Sequence, residues 1–211
     1  MKKLLLTAAI AAFGFSNINA QNISFGAKAG VNLANLTGDI ENNDMLVGFH
    51  VGGVAEYMFD EKMGLQAEVL YSSQGTKLSY SETDSFGTYE EEGKIKLSYI
   101  NIPVLFKYYV TNGLSLEAGP QVGILVSSEA EYSYKETSEG VTVSESETVD
   151  LKDETNSLDF GFNFGLGYKM DSGLNFGARY NVGLANIVDS DDSDDEDLKN
   201  GVIQLSVGFM F

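Results

Sequence analysis

From residue 160 to residue 168 every second side chain is large and apolar. Phe160, Phe162, Phe164, Leu166 and Tyr168 alternate with Gly161, Asn163, Gly165 and Gly167. A strict period of two over this length predicts a β-strand with one greasy face and one small or polar face. The pattern recurs along the chain. Leu174, Phe176, Ala178, Tyr180, Val182 and Leu184 form one such face, and Ile203, Leu205, Val207, Phe209 and Phe211 another. Upstream, Ile100, Ile102, Val104, Phe106 and Tyr108 make a strand, and Leu114, Leu116, Ala118, Pro120, Val122 and Ile124 make the next. Val47, Phe49, Val51, Ala55 and Tyr57 precede Leu65, Ala67, Val69 and Tyr71. The weakest repeat comes first, with Phe25, Ala27, Ala29, Val31 and Leu33 against Gly26, Lys28, Gly30 and Asn32. Eight strands are expected.

The connections alternate in length. Short turns are expected near 59–63, 110–113 and 170–173, where Asp, Asn, Ser and Gly collect. Long polar loops are expected near 34–45, 76–93, 127–157 and 185–200. Short turns at one end and long loops at the other are the layout of an up-and-down antiparallel membrane barrel. An even strand count brings both chain ends to the short-turn side, expected to be periplasmic.

The charges decide which face is inside. Lys28, His50, Glu56, Glu68, Lys107, Glu117, Lys169 and Arg179 all fall opposite the apolar face. Each basic residue placed at the middle of a bilayer would cost about 2–4 kcal/mol. Eight strands enclose an interior that side chains nearly fill. The charged face is therefore expected to line the lumen and the apolar face to meet lipid. A soluble β-sandwich or a lipocalin-like barrel would reverse this. Its outer face would carry more Lys, Thr and Ser and less glycine than this chain does.

The N-terminus adds a location. Lys2 and Lys3 precede an apolar run from Leu4 to Phe15, and a polar stretch then ends in Ala20-Gln21. This order is that of a cleavable signal peptide, expected over residues 1–20. The run is shorter than the roughly 20 apolar residues a spanning helix needs. Residues 21–211 are then expected to form one barrel domain. The full chain has a formal charge of −18, or −20 without the leader and its two lysines. That charge repels phosphates and argues against nucleic acid as a partner. The chain contains no cysteine, so no disulfide staples it and no lipid-modified N-terminus follows the leader. Its 23 Gly, 13 Phe and 11 Tyr suit a curved wall with aromatic girdles, to which some of Tyr57, Tyr71, Tyr99, Tyr108, Tyr109, Tyr168 and Tyr180 would contribute.

Three stretches carry a family likeness: Phe25-Gly26-Ala27-Lys28-Ala29-Gly30-Val31-Asn32, Tyr99-Ile100-Asn101-Ile102-Pro103-Val104-Leu105-Phe106-Lys107-Tyr108, and Leu116-Glu117-Ala118-Gly119-Pro120-Gln121-Val122-Gly123. With the leader and the closing aromatic strand, they resemble the PorT-like outer-membrane β-barrel family and the small eight-stranded outer-membrane proteins of Gram-negative bacteria. The resemblance covers the whole mature chain. It implies residence in the cell outer membrane among its lipids. It also implies insertion by the barrel-assembly machinery, with the terminal aromatic strand (Phe209, Phe211) as its signal. It implies no catalytic motif, and for a few members it implies help in protein secretion.

Candidate chemistry is sparse. Lys28, Lys107 and Arg179 share the inner face with Glu56, Glu68 and Glu117, and an ion-pair network closing the lumen is expected from the need of buried charges for partners. The alternative is a narrow pore with a charged constriction. The loops are acidic, most of all Asp189, Asp191, Asp192, Asp194 and Asp195. Such carboxylates suit weak calcium or other divalent binding, although the spacing lacks the glycine and terminal glutamate of an EF-hand. A solvated, self-repelling loop is the plainer expectation. His50 is the single histidine and has no nucleophile motif near it. No catalytic residue and no cofactor is expected. The functional expectation is a non-enzymatic outer-membrane protein with a structural or interaction role. A porin-like channel and a secretion accessory are the alternatives.

Overall fold

The computed structural model describes residues 22–40, 43–83, 87–138, 141–189 and 197–211. The expected leader lies outside the described residues. Among the described residues nine strands appear: β1 (Ile23–Gly38), β2 (Asn43–Met58), β3 (Met63–Thr83), β4 (Gly87–Tyr109), β5 (Leu114–Ser138), β6 (Val141–Asp150), β7 (Leu158–Lys169), β8 (Leu174–Gly183) and β9 (Leu198–Met210). Eight of them close a ring. Each of β1 to β5 pairs antiparallel with its sequence neighbour, β5 then pairs with β7, β7 with β8, β8 with β9, and β9 returns to β1. The closed ring leaves no edge facing lipid, the condition a sheet must meet to cross a bilayer.

β6 lies outside the ring and, among the described residues, pairs only with β5. It belongs to a part of the molecule that composition reads as loop. Residues 76–83 continue β3, residues 87–93 open β4, residues 127–138 continue β5, and β6 occupies most of the remaining polar stretch. At 34–45 and 185–200 as well, β1, β2 and β9 take up the flanks. The reason is physical. A sheet standing in water on both faces needs backbone pairing but no apolar face, so it carries no hydrophobic alternation to read. The projecting sheet β3–β4–β5–β6 runs about ten residues past the last outward apolar side chains, roughly 35 Å along the strand.

The opposite end is tight. Bends at 59–62, 110–113 and 170–173 join the strands, with backbone bonds such as Phe59 N–H to the Met63 carbonyl (2.8 Å) and Met170 N–H to the Leu174 carbonyl (2.8 Å). Within the wall, two register shifts bend the sheet. Val126 is an extra residue on β5 opposite the Ser98–Tyr99 step, and β2 gains a residue on β3 between Met45 and His50. The second shift coincides with Gly75 at φ +137°, where a Cβ would stand 1.9 Å from the Ile95 carbonyl oxygen. Only glycine fits such a bulge.

The faces divide by chemistry. Val69, Leu166, Phe164, Phe176 and Phe209 point outward and are about half exposed, whereas Asn32, Glu68, Asn163 and Arg179 are buried inside. Tyr57, Tyr108, Tyr168 and Tyr180 stand on the outer face. Tyr99 and Tyr109 do not join them, because they occupy inward positions of β4 and are buried.

Candidate functional site

Among the described residues, charged side chains from distant strands meet in the lumen. Alternation sets each inward: Lys28 on β1, Glu56 on β2, Glu68 on β3, Lys107 on β4, Glu117 on β5 and Arg179 on β8. The structure brings all six together. Arg179 grips Glu68 with both arms, Nη2 to Oε1 at 2.8 Å and Nη1 to Oε2 at 3.1 Å. Lys28 donates to the same Glu68 Oε1 at 2.9 Å. Arg179 Nη2 also reaches Glu117 Oε2 at 3.3 Å, and Lys107 lies 3.3 Å from Glu117 and 2.9 Å from Glu56. Three cations thus meet three carboxylates in a continuous chain across the barrel. Charge balance and two-point bonding are what a low-dielectric interior demands of buried ions.

Other side chains complete the network. Lys169 donates to Glu56 Oε2 at 2.7 Å from the short-turn mouth, and Tyr109 donates its hydroxyl to Glu56 Oε1 at 2.6 Å. Both Lys107 and Lys169 lie over the Tyr109 ring, 5.3 and 5.7 Å from its centre. Gln66 accepts from Lys107 at 2.9 Å and donates to Glu68, and Ser115 donates to Glu117 at 3.2 Å. Gln66 and Lys169 sit on inward positions that alternation marks, but nothing local shows that they touch these partners. Ser115, between Leu114 and Leu116, is marked inward in the same way, whereas Tyr109 carried no such mark.

Toward the long-hairpin end the lumen changes from ionic to neutral polar. His50 bonds through Nδ1 to Asn32 Oδ1 at 2.7 Å, and Asn32 also donates to Ser72 at 3.0 Å. Asn181, Asn163 and Gln121 form a second ladder at 3.2 and 3.3 Å. His50 is thus a packed, bonded core residue. At the mouth the interior turns apolar. Leu36, Leu97, Tyr99, Leu125 and Ile187 form one buried cluster. Ile187 comes from the β8–β9 connection, held by Ile187 N–H to the Leu198 carbonyl (2.8 Å) and by Asn156 N–H to the Ile187 carbonyl (2.8 Å). A wholly polar lumen does not describe this level: the inner face changes to leucine where the wall leaves the apolar band.

The cavity within the ionic level has a volume of about 30 Å³ and is lined by Lys28, Glu56, Gln66, Lys107 and Glu117 among others. That is room for a few water molecules.

These features are those of a known group of membrane proteins. A family model described as "Outer membrane protein beta-barrel domain" matches residues 19–189. The chain belongs to the outer membrane protein beta-barrel domain family. It is an outer-membrane β-barrel. A search of curated proteins finds no match. Among solved structures, this family member is similar to Neisserial surface protein A at 15% identity, over 90% of this chain and 100% of that one, with a TM-score of 0.51. It also aligns with Ail, the attachment invasion locus protein of Yersinia pestis, at 18% identity over 90% and 100% of the two chains, with a TM-score of 0.47. At such identities the likeness is one of fold.

The remaining candidate residues of this outer membrane β-barrel are dispersed. Asp189 is exposed, and its backbone N–H bonds to the Glu154 carbonyl at 2.9 Å. Asp191, Asp192, Asp194 and Asp195 lie outside the described residues. Among the described residues, no group of three or more His, Cys, Asp or Glu stands close enough to hold a metal ion. Phe209 and Phe211 face outward, with ring centres 5.8 Å apart.

Proposed function

We propose that this protein is a closed, non-enzymatic barrel that presents an acidic β-sheet at the cell surface. The observation that carries the reading is the lumen. Six buried charges satisfy one another across it, and the cavity among them has room for only a few waters. A conducting pathway would have to break that network and leave charges unpaired in a low dielectric. Catalysis has no visible footing either, since the lone histidine is buried and bonded to Asn32, and its cross-strand neighbour Ser72 accepts from the same asparagine. What remains for function is the projecting part. The short-turn end is taken as periplasmic, so β3–β6 stand outside the cell.

On this reading the partners are lipid around the wall, the barrel-assembly machinery during insertion, and a surface ligand of the projecting sheet. Divalent cations at the acidic segment around Asp189 belong to the same proposal. Within the family, we place the chain beside the PorT-like barrels. The support is the Gly-x-Lys-x-Gly opening, the Ile-Pro strand and the Gly-Pro-x-x-Gly strand.

Planar-bilayer recording of the purified, refolded protein is the test. A quiet membrane is expected. Reproducible single-channel steps would establish the porin-like alternative instead, and co-purification with secretion components from envelope extracts would favour the accessory role.

A further inference from the structure

Asn101 on β4, Gly123 on β5 and Asp159 on β7 are direct cross-strand neighbours in one row. Gly123 has no side chain, so the two flanking residues lean over it. A Cβ built there would stand 2.8 Å from Asn101 Oδ1 and 3.3 Å from Asp159 Cβ. Asn200 of β9 faces them across the lumen and donates from Nδ2 to Asp159 Oδ2 at 3.0 Å. Tyr99, one inward position further along β4, brings its hydroxyl toward Asn200 without a bond of ordinary geometry. All four residues are at most 2% exposed.

Their oxygens are left over. Asp159 Oδ1, Asn101 Oδ1, Asn200 Oδ1 and Tyr99 Oη have no hydrogen-bond partner in the protein, and neither does Asn101 Nδ2. Asp159 also has no basic partner among the described residues. Its contacts are the Asn200 amide and the Phe160 backbone N–H. The other carboxylates buried in the lumen each have a cation: Glu56 has Lys107, and both Glu68 and Glu117 have Arg179. Arg179 itself stands beside Gly165, six residues along β7 from Asp159 and roughly 20 Å away. A buried carboxylate needs a counter-charge or must give up its own.

We propose that Asp159, Asn101, Asn200 and Tyr99 form a binding site for one small alkali cation. The donor set is all oxygen, which suits hard cations and offers nothing to metals that prefer thiolate or imidazole. The site carries a single negative charge. A monovalent ion balances it, whereas a divalent ion would leave a buried positive charge. The cluster of Leu36, Leu97, Leu125 and Ile187 packs against Tyr99 and keeps bulk water from this level. A dry surrounding strengthens the attraction between ion and carboxylate. The site is independent of whether the ionic level beneath it conducts.

The test uses the full mature barrel refolded in detergent micelles. Its thermal unfolding midpoint is read on heat-modifiability gels in sodium, potassium or N-methylglucamine chloride at equal ionic strength. At about ten times the dissociation constant, the alkali ion is expected to raise the midpoint by roughly 3–6 °C over N-methylglucamine. Asp159→Asn keeps the shape and removes the charge, and is expected to abolish that difference. No alkali-specific rise in the parent, or an undiminished rise in Asp159→Asn, would overturn the proposal. A rise with calcium alone would overturn the monovalent assignment. If Asp159→Asn does not fold, crystals of the parent soaked in rubidium decide, because an anomalous peak beside Asp159 Oδ1 is required and its absence refutes the site.

Discussion

Glu68 and Glu92 hold the same kind of company in two different settings. Glu68, inside the barrel, is bonded to Lys28 and Arg179, and its side chain is wholly buried. Glu92, on the projecting sheet, is bonded to Lys77 and Lys94, and a third of its side chain is open to water. A map of contacts would rank them alike. The dielectric does not. In the lumen each ion has given up its hydration, so losing one partner strands the others. On the projecting sheet water replaces a lost partner at little cost. The pair in the lumen therefore specifies how the ring closes, and the pair outside decorates a hairpin already held by its backbone ladder.

The sharpest way to break the comparison is to remove each glutamate. Glu68→Ala leaves Arg179 and Lys28 without their shared carboxylate, and a loss of about 3–5 kcal/mol is expected. Urea unfolding of the refolded protein in micelles measures it. The triple change Lys28→Met, Glu68→Met and Arg179→Met removes all three ions at once. It is expected to recover most of that loss, because the cost lies in the stranded charges and not in the absent bonds. A triple variant as weak as Glu68→Ala would show that the network's shape matters more than its charge balance.

A second contrast concerns the outer surface. Leu166 and Tyr132 are equally exposed, at 51% each. Leu166 lies on β7 within the apolar band, paired with Leu116 and Ala178, whereas Tyr132 lies on the projecting part of β5. Leu166→Arg puts a charge against acyl chains and is expected to cost about 2–4 kcal/mol. Tyr132→Arg is expected to stay within about 0.5 kcal/mol. Equal costs from the same urea titration would move the membrane boundary and count against the band drawn here.

These contrasts also explain what was legible in the sequence. The wall was readable because lipid and lumen impose opposite demands on alternate residues, as Phe160 to Tyr168 shows. The inward placement of Lys28, Glu117 and Arg179 followed from the cost of the opposite choice. Which charge meets which did not follow. Arg179 and Glu68 are 111 residues apart, and their contact exists only once β9 has returned to β1. Lys169 and Tyr109 join Glu56 for the same reason. The projecting strands were hidden by the sameness of their two faces: Glu129, Glu131, Glu145 and Glu147 read as loop although they lie in paired strands. The apolar cluster at the mouth was hidden too, since Leu36 stands alone between Asn35 and Thr37, and Leu97 and Tyr99 fall on the face of β4 where polar residues were expected. Ile187 reaches them from a segment with no period at all.

The smallest expected effect is the most informative about the projecting sheet. Hydrogen bonds from Lys77 and Lys94 hold the Glu92 carboxyl below its ordinary range, and the same contact raises Lys94 above the usual lysine value. A depressed carboxyl adds stability above its unfolded value and loses it as pH falls through the folded one. A raised lysine adds stability below its unfolded value and loses it as pH rises through the folded one. The pair therefore contributes across neutral pH and fades at both extremes. Its exposure limits the contribution to about 0–1 kcal/mol, reduced further by salt. Glu92→Gln is expected to raise amide exchange only locally, around Lys77 and Lys94, at neutral pH and low salt. The difference from the parent should vanish below the depressed carboxyl value and in high salt. The urea midpoint of the barrel should not move. A global loss of stability in Glu92→Gln would mean that the projecting sheet and the membrane ring unfold as one unit, so that a contact's setting, buried or exposed, would no longer predict what it is worth.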